Sequence, residues 1–197
     1  MRIYLLRHGA VAQTNPRTFL GQTDVPLTVE GARQMAVLAR RLASMDIGGI
    51  VCSPLRRARH SARLVSGWPK EHIREVAAFQ EINLGQWEGL SVAEVQVRYP
   101  GAYEARGKDL THFRPEGGES FADVAARAWP ALLTLGTDCA RKNSGPVLIV
   151  AHAGVNRVLL AKAAALPLQE VLTIPQPYGA LSCLRYTAGK IEIDFLS

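Results

Sequence analysis

The apolar run Ile3-Tyr4-Leu5-Leu6 stops abruptly at Arg7-His8-Gly9. An unbroken apolar run this short predicts a strand buried on both faces, as in parallel sheets covered by helices on either side. In open α/β sheets, ligands bind just beyond the carboxyl ends of such strands. Arg7 and His8 are therefore expected where such a fold carries its site. Val147-Leu148-Ile149-Val150-Ala151 repeats the pattern and ends in His152-Ala153-Gly154. A helical pattern follows, with Val155, Leu159 and Leu166 as its stripe. Two parallel strands that each end in histidine can set two imidazoles side by side, which suits covalent catalysis by a nucleophile.

Gly49-Ile50-Val51-Cys52 predicts a further buried strand. Ser53-Pro54 then predicts a helix start, with serine as cap and proline at the first helical position. Leu55, Ala58, Ala62 and Val65 form its buried stripe, while Arg56, Arg57, Arg59 and Arg63 are polar. Arg56 and Arg57 fall near the helix start, which favours anions. A guanidinium fork matches phosphate bidentately, so Arg7 and one of these two arginines make a clamp for a phosphoryl group.

Thr28 reads as the cap of a helix with the stripe Met35, Leu38, Leu42 and Met45. A third strand is expected near Val76 to Phe79, and a helix over Ser91 to Tyr99. Pro100-Gly101 through Gly117-Gly118 is rich in loop signals. The insertion at about 91–118 is expected to lie over the site as a lid. A helix begins near Glu119 and is expected to break or kink at Pro130. Leu181–Tyr186 and Ile191–Phe195 read as a closing hairpin. Strands alternating with helices predict an α/β fold, a three-layer α/β/α sandwich around a mostly parallel sheet, as one domain over 1–197.

The segments LLRHG, SPLRRARHSA at 53–62, EINLGQWEG at 81–89 and AHAG at 151–154 together resemble the histidine phosphatase superfamily, the phosphoglycerate-mutase-like group. Gly21-Gln22-Thr23-Asp24-Val25-Pro26-Leu27-Thr28, followed by Gly31, is similar to that family's segment after the nucleophile. Pro115-Glu116-Gly117-Gly118-Glu119-Ser120-Phe121 is similar to a segment of the alpha-ribazole phosphatase-like branch. The likeness runs from about residue 2 to residue 166, and the order and spacing of its pieces are specific.

The resemblance implies a role for each matching position. His8 matches the nucleophile that becomes phosphorylated, and Arg7 the phosphate-binding arginine beside it. The arginine directly before an alanine is Arg57, which selects it over Arg56. Glu81 matches the proton donor to the leaving group, with Glu88 the runner-up acid, and His152 the second histidine of the phosphate pocket. The family usually has an acidic residue after RHG, where this chain has Ala10, and an asparagine near Thr14. Asn15, one place later, is the candidate for that contact, and Thr23 is a further candidate substrate contact. The implied activity is a phosphomonoesterase that needs no metal or other cofactor and acts on a small phosphorylated metabolite. Alpha-ribazole 5′-phosphate or a related cobalamin precursor is the leading substrate. Phosphoryl transfer of the mutase type and broad action on sugar phosphates are the alternatives.

Other functional classes fit less well. His60, His72 and His112 stand in polar surroundings and read as surface residues, with a place facing substrate as the alternative for His112. No pair of histidines has metal-ligand spacing, and no acidic cluster of the magnesium kind is present. The net charge of +6 invites a nucleic-acid reading, but the basic residues are scattered, without an aromatic-studded stripe. A positive field that attracts anionic substrates is the simpler use. Cys52, Cys139 and Cys183 are widely spaced and read as reduced thiols of a cytoplasmic protein. The expected partner is thus a small molecule, with neither nucleic acid nor membrane.

Overall fold

In the computed structural model, which describes residues 1–195, alternation along two central strands organises the core. Strand β1 (Arg2–Arg7) turns Ile3 and Leu5 to one face and Tyr4 and Leu6 to the other. Strand β4 (Val147–Ala151) divides in the same way, with Val147, Ile149 and Ala151 opposite Leu148 and Val150. Because both faces are buried, both alternating sets must be apolar, so the sequence shows a continuous run. Burying each such Leu, Ile or Val side chain contributes about 1.5–3 kcal/mol.

Six strands form one sheet in the order β3-β2-β4-β1-β5-β6. Strands β3 (Ile73–Glu75), β2 (Gly49–Cys52), β4 and β1 run parallel. Strands β5 (Leu181–Thr187) and β6 (Lys190–Phe195) are an antiparallel hairpin added beside β1. Helices α1 (Val29–Leu42) and α2 (Arg56–Ser66) cover one face through Met35, Leu42, Ala58, Ala62 and Val65. Helices α5 (Phe121–Lys142) and α6 (Ala153–Ala163) cover the other through Leu132, Leu135, Val155 and Leu159. The expected three-layer sandwich with a mostly parallel sheet is the observed one. Leu196 and Ser197, the end of the expected 1–197 domain, lie outside the described residues. Among the described residues, no helix is long and apolar enough to cross a membrane.

Several local expectations are corrected. The third strand is Ile73–Glu75, and Ala77–Phe79 is a single 3-10 turn that sends Phe79 into the core. The apolar character of 76–79 therefore reflects burial by a turn. Ser53 does not cap α2, which starts at Arg56; its hydroxyl lies 2.7 Å from His152 Nε2. Asp24, from a distant loop, accepts the Arg56 N–H at 2.7 Å instead. Met45 falls beyond the end of α1, and Leu166 beyond the end of α6, where it is 41% exposed. Helix α5 passes through Pro130 without interruption. Pro130 and Ala126, whose carbonyl the proline leaves without its helical donor, both face solvent, so water can satisfy that carbonyl.

Segment 91–118 holds two short helices, the expected α3 (Val92–Arg98), which Ser91 caps, and the unexpected α4 (Ala102–Lys108). Gly101, at φ 78°, turns the chain, and Ala102 and Tyr103 then pack against the core. That packing overrides the loop signal of Pro100-Gly101.

Candidate active site

β4 is inserted between β2 and β1, so the carboxyl ends of β1 and β4 are paired, Arg7 opposite Ala151. The next residues along each strand are His8 and His152, whose ring centroids are 5.0 Å apart. The His8 N–H donates to the Ala151 carbonyl at 3.0 Å. Gly9 follows because the chain passes close to α1: a Cβ there would collide with the Gly31 carbonyl. His8 Nδ1 lies 2.7 Å from the Gly9 carbonyl, which can only accept. The proton therefore sits on Nδ1, and Nε2 keeps its lone pair.

Arg57, only 1% exposed, is tied down on three sides. Its Nη1 donates to the Thr23 carbonyl and its Nη2 to the Gly21 carbonyl, both at 2.7 Å. Its Nε donates to His152 Nδ1 at 3.2 Å, so the His152 proton is on Nε2 and points to Ser53 Oγ. A guanidinium has five N–H donors, so two of those of Arg57 remain. His152, which the resemblance assigns to the phosphate pocket, is fully buried, with its ring nitrogens within hydrogen-bond distance of Arg57 Nε and Ser53 Oγ.

Arg7 donates through Nη1 to the Gln176 carbonyl and stacks on the Tyr178 ring, 3.9 Å from its centroid. Its Nε is buried with no partner. Gln176 and Tyr178 reach this place because β5 is antiparallel to β1, so its beginning adjoins the end of β1, with the Arg7 N–H on the Ala180 carbonyl at 2.9 Å.

Glu81 reaches the same cavity from a loop. Its Oε2 accepts the Gly154 N–H at 3.1 Å, and its Oε1 accepts the Val155 N–H at 3.2 Å and the Ile82 N–H at 3.0 Å. The carboxylate thereby occupies the free amides at the start of α6, where a negative charge is favoured. Gly154 makes this possible, since a Cβ there would strike Glu81 Oε1. Glu88, the runner-up acid, is engaged by neighbouring loops. It accepts the Gln22 N–H at 2.6 Å, the Thr23 hydroxyl at 2.6 Å and the Leu84 N–H at 3.2 Å, binding two loops together. The Thr23 hydroxyl proton is thus committed to Glu88, although Thr23 lines the cavity.

Asn15, the candidate for the loop contact, is exposed and outside the cavity lining, where Gln13, Thr14 and Arg17 stand. Thr14 Oγ1 accepts the Thr18 N–H at 3.1 Å, which closes the turn so that Asn15 sits at its solvent side. His60, His72 and His112 are exposed as expected; His112 lies 3.2 Å from Asp109 and does not line the cavity. Among the described residues, no group of three or more His, Cys, Asp or Glu is placed to hold a metal ion.

The cavity measures about 580 Å³, far more than one phosphoryl group fills. Arg7, His8, Arg57 and Glu81 line it together. Val92 of α3 and Arg106 of α4 come from the expected lid segment, and Arg17, Arg157, Phe121 and Leu172 also line it. The sequence reading missed Tyr178 and the arginines Arg17, Arg106 and Arg157. Only Arg157 carried a local signal: it is four residues from Ala153 on α6, hence on the same helix face.

Burial, then the charges of Arg57 and Arg7, push His8 down to about 3, although its bond to Gly9 opposes this. His152 is held well below its ordinary value, chiefly by burial and then by His8 and the nearby arginines. Both imidazoles are therefore neutral at pH 7, and His8 remains nucleophilic there. Folded-state values below the unfolded value of about 6.5 mean that the unfolded chain binds more protons under that pH. Their contribution to stability is complete above pH 6.5 and is lost as pH falls toward the folded-state values. Removing one titrating histidine should flatten the decline by about 1.4 kcal/mol per pH unit. Urea unfolding of wild type and His8→Asn between pH 5.5 and 4 is expected to show that difference in slope, and equal slopes would contradict it.

The profile of the histidine phosphatase superfamily (branch 1) matches residues 3–197. Glucosyl-3-phosphoglycerate phosphatase of Mycolicibacterium vanbaalenii is 35% identical over 170 residues, covering 84% of this chain and 75% of the relative. The 6-phosphofructo-2-kinase/fructose-2,6-bisphosphatase of Arabidopsis thaliana is 34% identical over 179 residues, covering 89% of this chain but only 23% of that longer protein. The crystal structure of the alpha-ribazole phosphatase from Shigella flexneri superposes with a TM-score of 0.87 at 26% identity, covering 100% of this chain and 96% of that one. With its two strand-end histidines and buried arginines so arranged, the chain belongs to the histidine phosphatase superfamily and is a phosphatase.

Proposed function

We propose that this phosphatase works through a phosphohistidine on His8 and acts on a small phosphomonoester that carries a second anionic group. The His8 Nε2 lone pair forms the N–P bond as the ester P–O bond breaks. Arg7 and the two spare N–H groups of Arg57 stabilise charge on the equatorial oxygens. Glu81, protonated by the proton that the phosphomonoester monoanion brings, delivers it to the departing alkoxide. It then takes one from water as the water oxygen attacks phosphorus and the N–P bond breaks, returning His8 and releasing phosphate. The expectation that no metal or other cofactor is needed belongs to this reading, in which the arginines supply the positive charge.

The observation that carries the substrate class is the charge of the lining: five arginines face one carboxylate, Glu81. Among the described residues, Arg106 is half-buried beside Phe121 with no carboxylate partner, and Arg157 spends only its Nε, on the Ile174 carbonyl at 2.8 Å. Burial lowers both, which favours an incoming anion as their partner.

A second reading rests on the apolar part of the wall, Phe19, Ile82, Leu84 and Phe121. It would suit an uncharged heteroaromatic alcohol such as alpha-ribazole. Four substrates decide between the readings: glucosyl-3-phosphoglycerate, alpha-ribazole 5′-phosphate, glucose 6-phosphate and 4-nitrophenyl phosphate. The carboxylate-bearing ester is expected to have the highest kcat/KM. Arg106→Gln should raise KM for it alone by about tenfold or more, the value of a charge-assisted hydrogen bond. Preference for alpha-ribazole 5′-phosphate, with Arg106→Gln indifferent, would establish the second reading. Rearranged phosphoester instead of free phosphate would favour mutase-type transfer.

A further inference from the structure

The segment Pro115–Phe121, which resembles the alpha-ribazole branch, contributes only Phe121 to the cavity. The rest of it grips the loop that carries Glu81. The Glu119 N–H donates to the Asn83 carbonyl at 2.7 Å, and Glu119 Oε2 accepts the Asn83 N–H at 2.9 Å. The Gln86 N–H donates to the Glu116 carbonyl at 3.0 Å. Gly118 is required by this approach, since a Cβ there would lie 2.8 Å from the Asn83 carbonyl oxygen and 3.0 Å from the Gly85 nitrogen.

Arg127, on the second turn of α5, completes the grip. Its Nε and Nη2 hold the two Glu119 oxygens at 2.7 and 2.9 Å. Its Nη1 donates to the carbonyls of Ala78 and Gln80 at 2.7 and 2.9 Å, and its Nη2 to that of Glu81 at 3.1 Å. All five donors of the guanidinium are spent on this task. The two side chains are 23% and 22% exposed, so the pair is shielded from full solvent screening. Its base is rigid, because Ser120 and Asp123 form a capping box at the start of α5.

We propose that the Glu119–Arg127 pair is a positioning device for Glu81, fixing the backbone of 78–83 so that the carboxyl meets the leaving-group oxygen. The inference rests on Glu81 as the proton donor. Neither Glu119 nor Arg127 lines the cavity, so both act through Glu81 and not on the phosphoryl group. The likeness around Gly117–Ser120 accordingly reports how the acid is held and carries no information about the alcohol being released.

The test compares an alkyl phosphate, whose alkoxide needs a proton, with 4-nitrophenyl phosphate, whose phenolate does not. Arg127→Lys keeps the charge but loses the fork. A displacement of about 1 Å can cost on the order of 10²-fold, so it should lower single-turnover phosphorylation at least about tenfold more on the alkyl ester. Competitive inhibition by inorganic phosphate should stay unchanged. In a Glu81→Gln background the selective loss should vanish, because the acid it positions is gone. Glu119→Gln, which preserves shape, decides by the same comparison if Arg127→Lys does not fold. Equal losses on both esters, or a selective loss that persists in Glu81→Gln, would overturn the proposal. If Glu81→Gln itself shows no leaving-group selectivity, the assignment of the acid fails instead.

Discussion

His8→Ala is expected to abolish phosphatase turnover, with a loss on the order of 10⁴-fold or more, since the proposed mechanism assigns the covalent intermediate to His8. Among the described residues, His8 Nε2 is the one imidazole nitrogen of the pair with no hydrogen-bond partner, whereas both nitrogens of His152 are occupied. Substrate labelled in the phosphoryl group, quenched without acid, should leave label on the wild-type chain as a phosphoramidate, stable in alkali and labile in acid. The variant should carry none. The substitution also removes the bond to the Gly9 carbonyl, so its fold needs checking by circular dichroism. Wild-type rates in a folded His8→Ala protein would reject the mechanism.

Glu81→Gln is expected to reduce phosphorylation by alkyl and sugar phosphates about 10²–10⁴-fold, the range for general acid catalysis. The same step with 4-nitrophenyl phosphate should change far less. Glu81 also receives three backbone amides, two of them from the start of α6. A role confined to that structural duty would show as equal losses on both substrates, accompanied by a lower melting temperature. Because the proposed mechanism has the same carboxyl activate water in the second step, burst kinetics are needed to isolate the first. A larger selective loss for Glu88→Gln would transfer the acid role to Glu88, whose oxygens instead hold Gln22, Thr23 and Leu84.

Some elements were legible because one local rule governs them. Thr28 accepts the Gly31 N–H at 3.0 Å, and the hairpin turns at Ala188-Gly189, both at positive φ, because capping and tight turns involve neighbours in sequence. Segments with two competing local readings were misjudged. Ile73-Arg74-Glu75 is an edge strand with one buried residue, too short to show alternation, while the more apolar Ala77–Phe79 is a turn. Ser53 has the composition of a cap, but its hydroxyl meets a histidine 99 positions away.

By itself, the sequence determined the two central strands, the layers around them and the delivery of Arg7, His8 and His152 to strand ends. A strand buried on both faces must be apolar throughout, and the first polar residues after the apolar run mark where the strand ends. The choice of Arg57 and Glu81 came from the order of motifs that resemble a family, not from periodicity. Only the tertiary structure decided what those residues do to one another. Inserting β4 between β2 and β1 made the two histidines neighbours, and the antiparallel β5 brought Tyr178 onto Arg7. It also turned His152 toward Arg57 and Ser53, left Asn15 in solvent, and put Arg127 and Glu119 around the loop of Glu81. Hydrogen bonds and cation–π contacts of this kind depend on ångström-scale geometry between segments tens of residues apart, and no local pattern encodes that geometry.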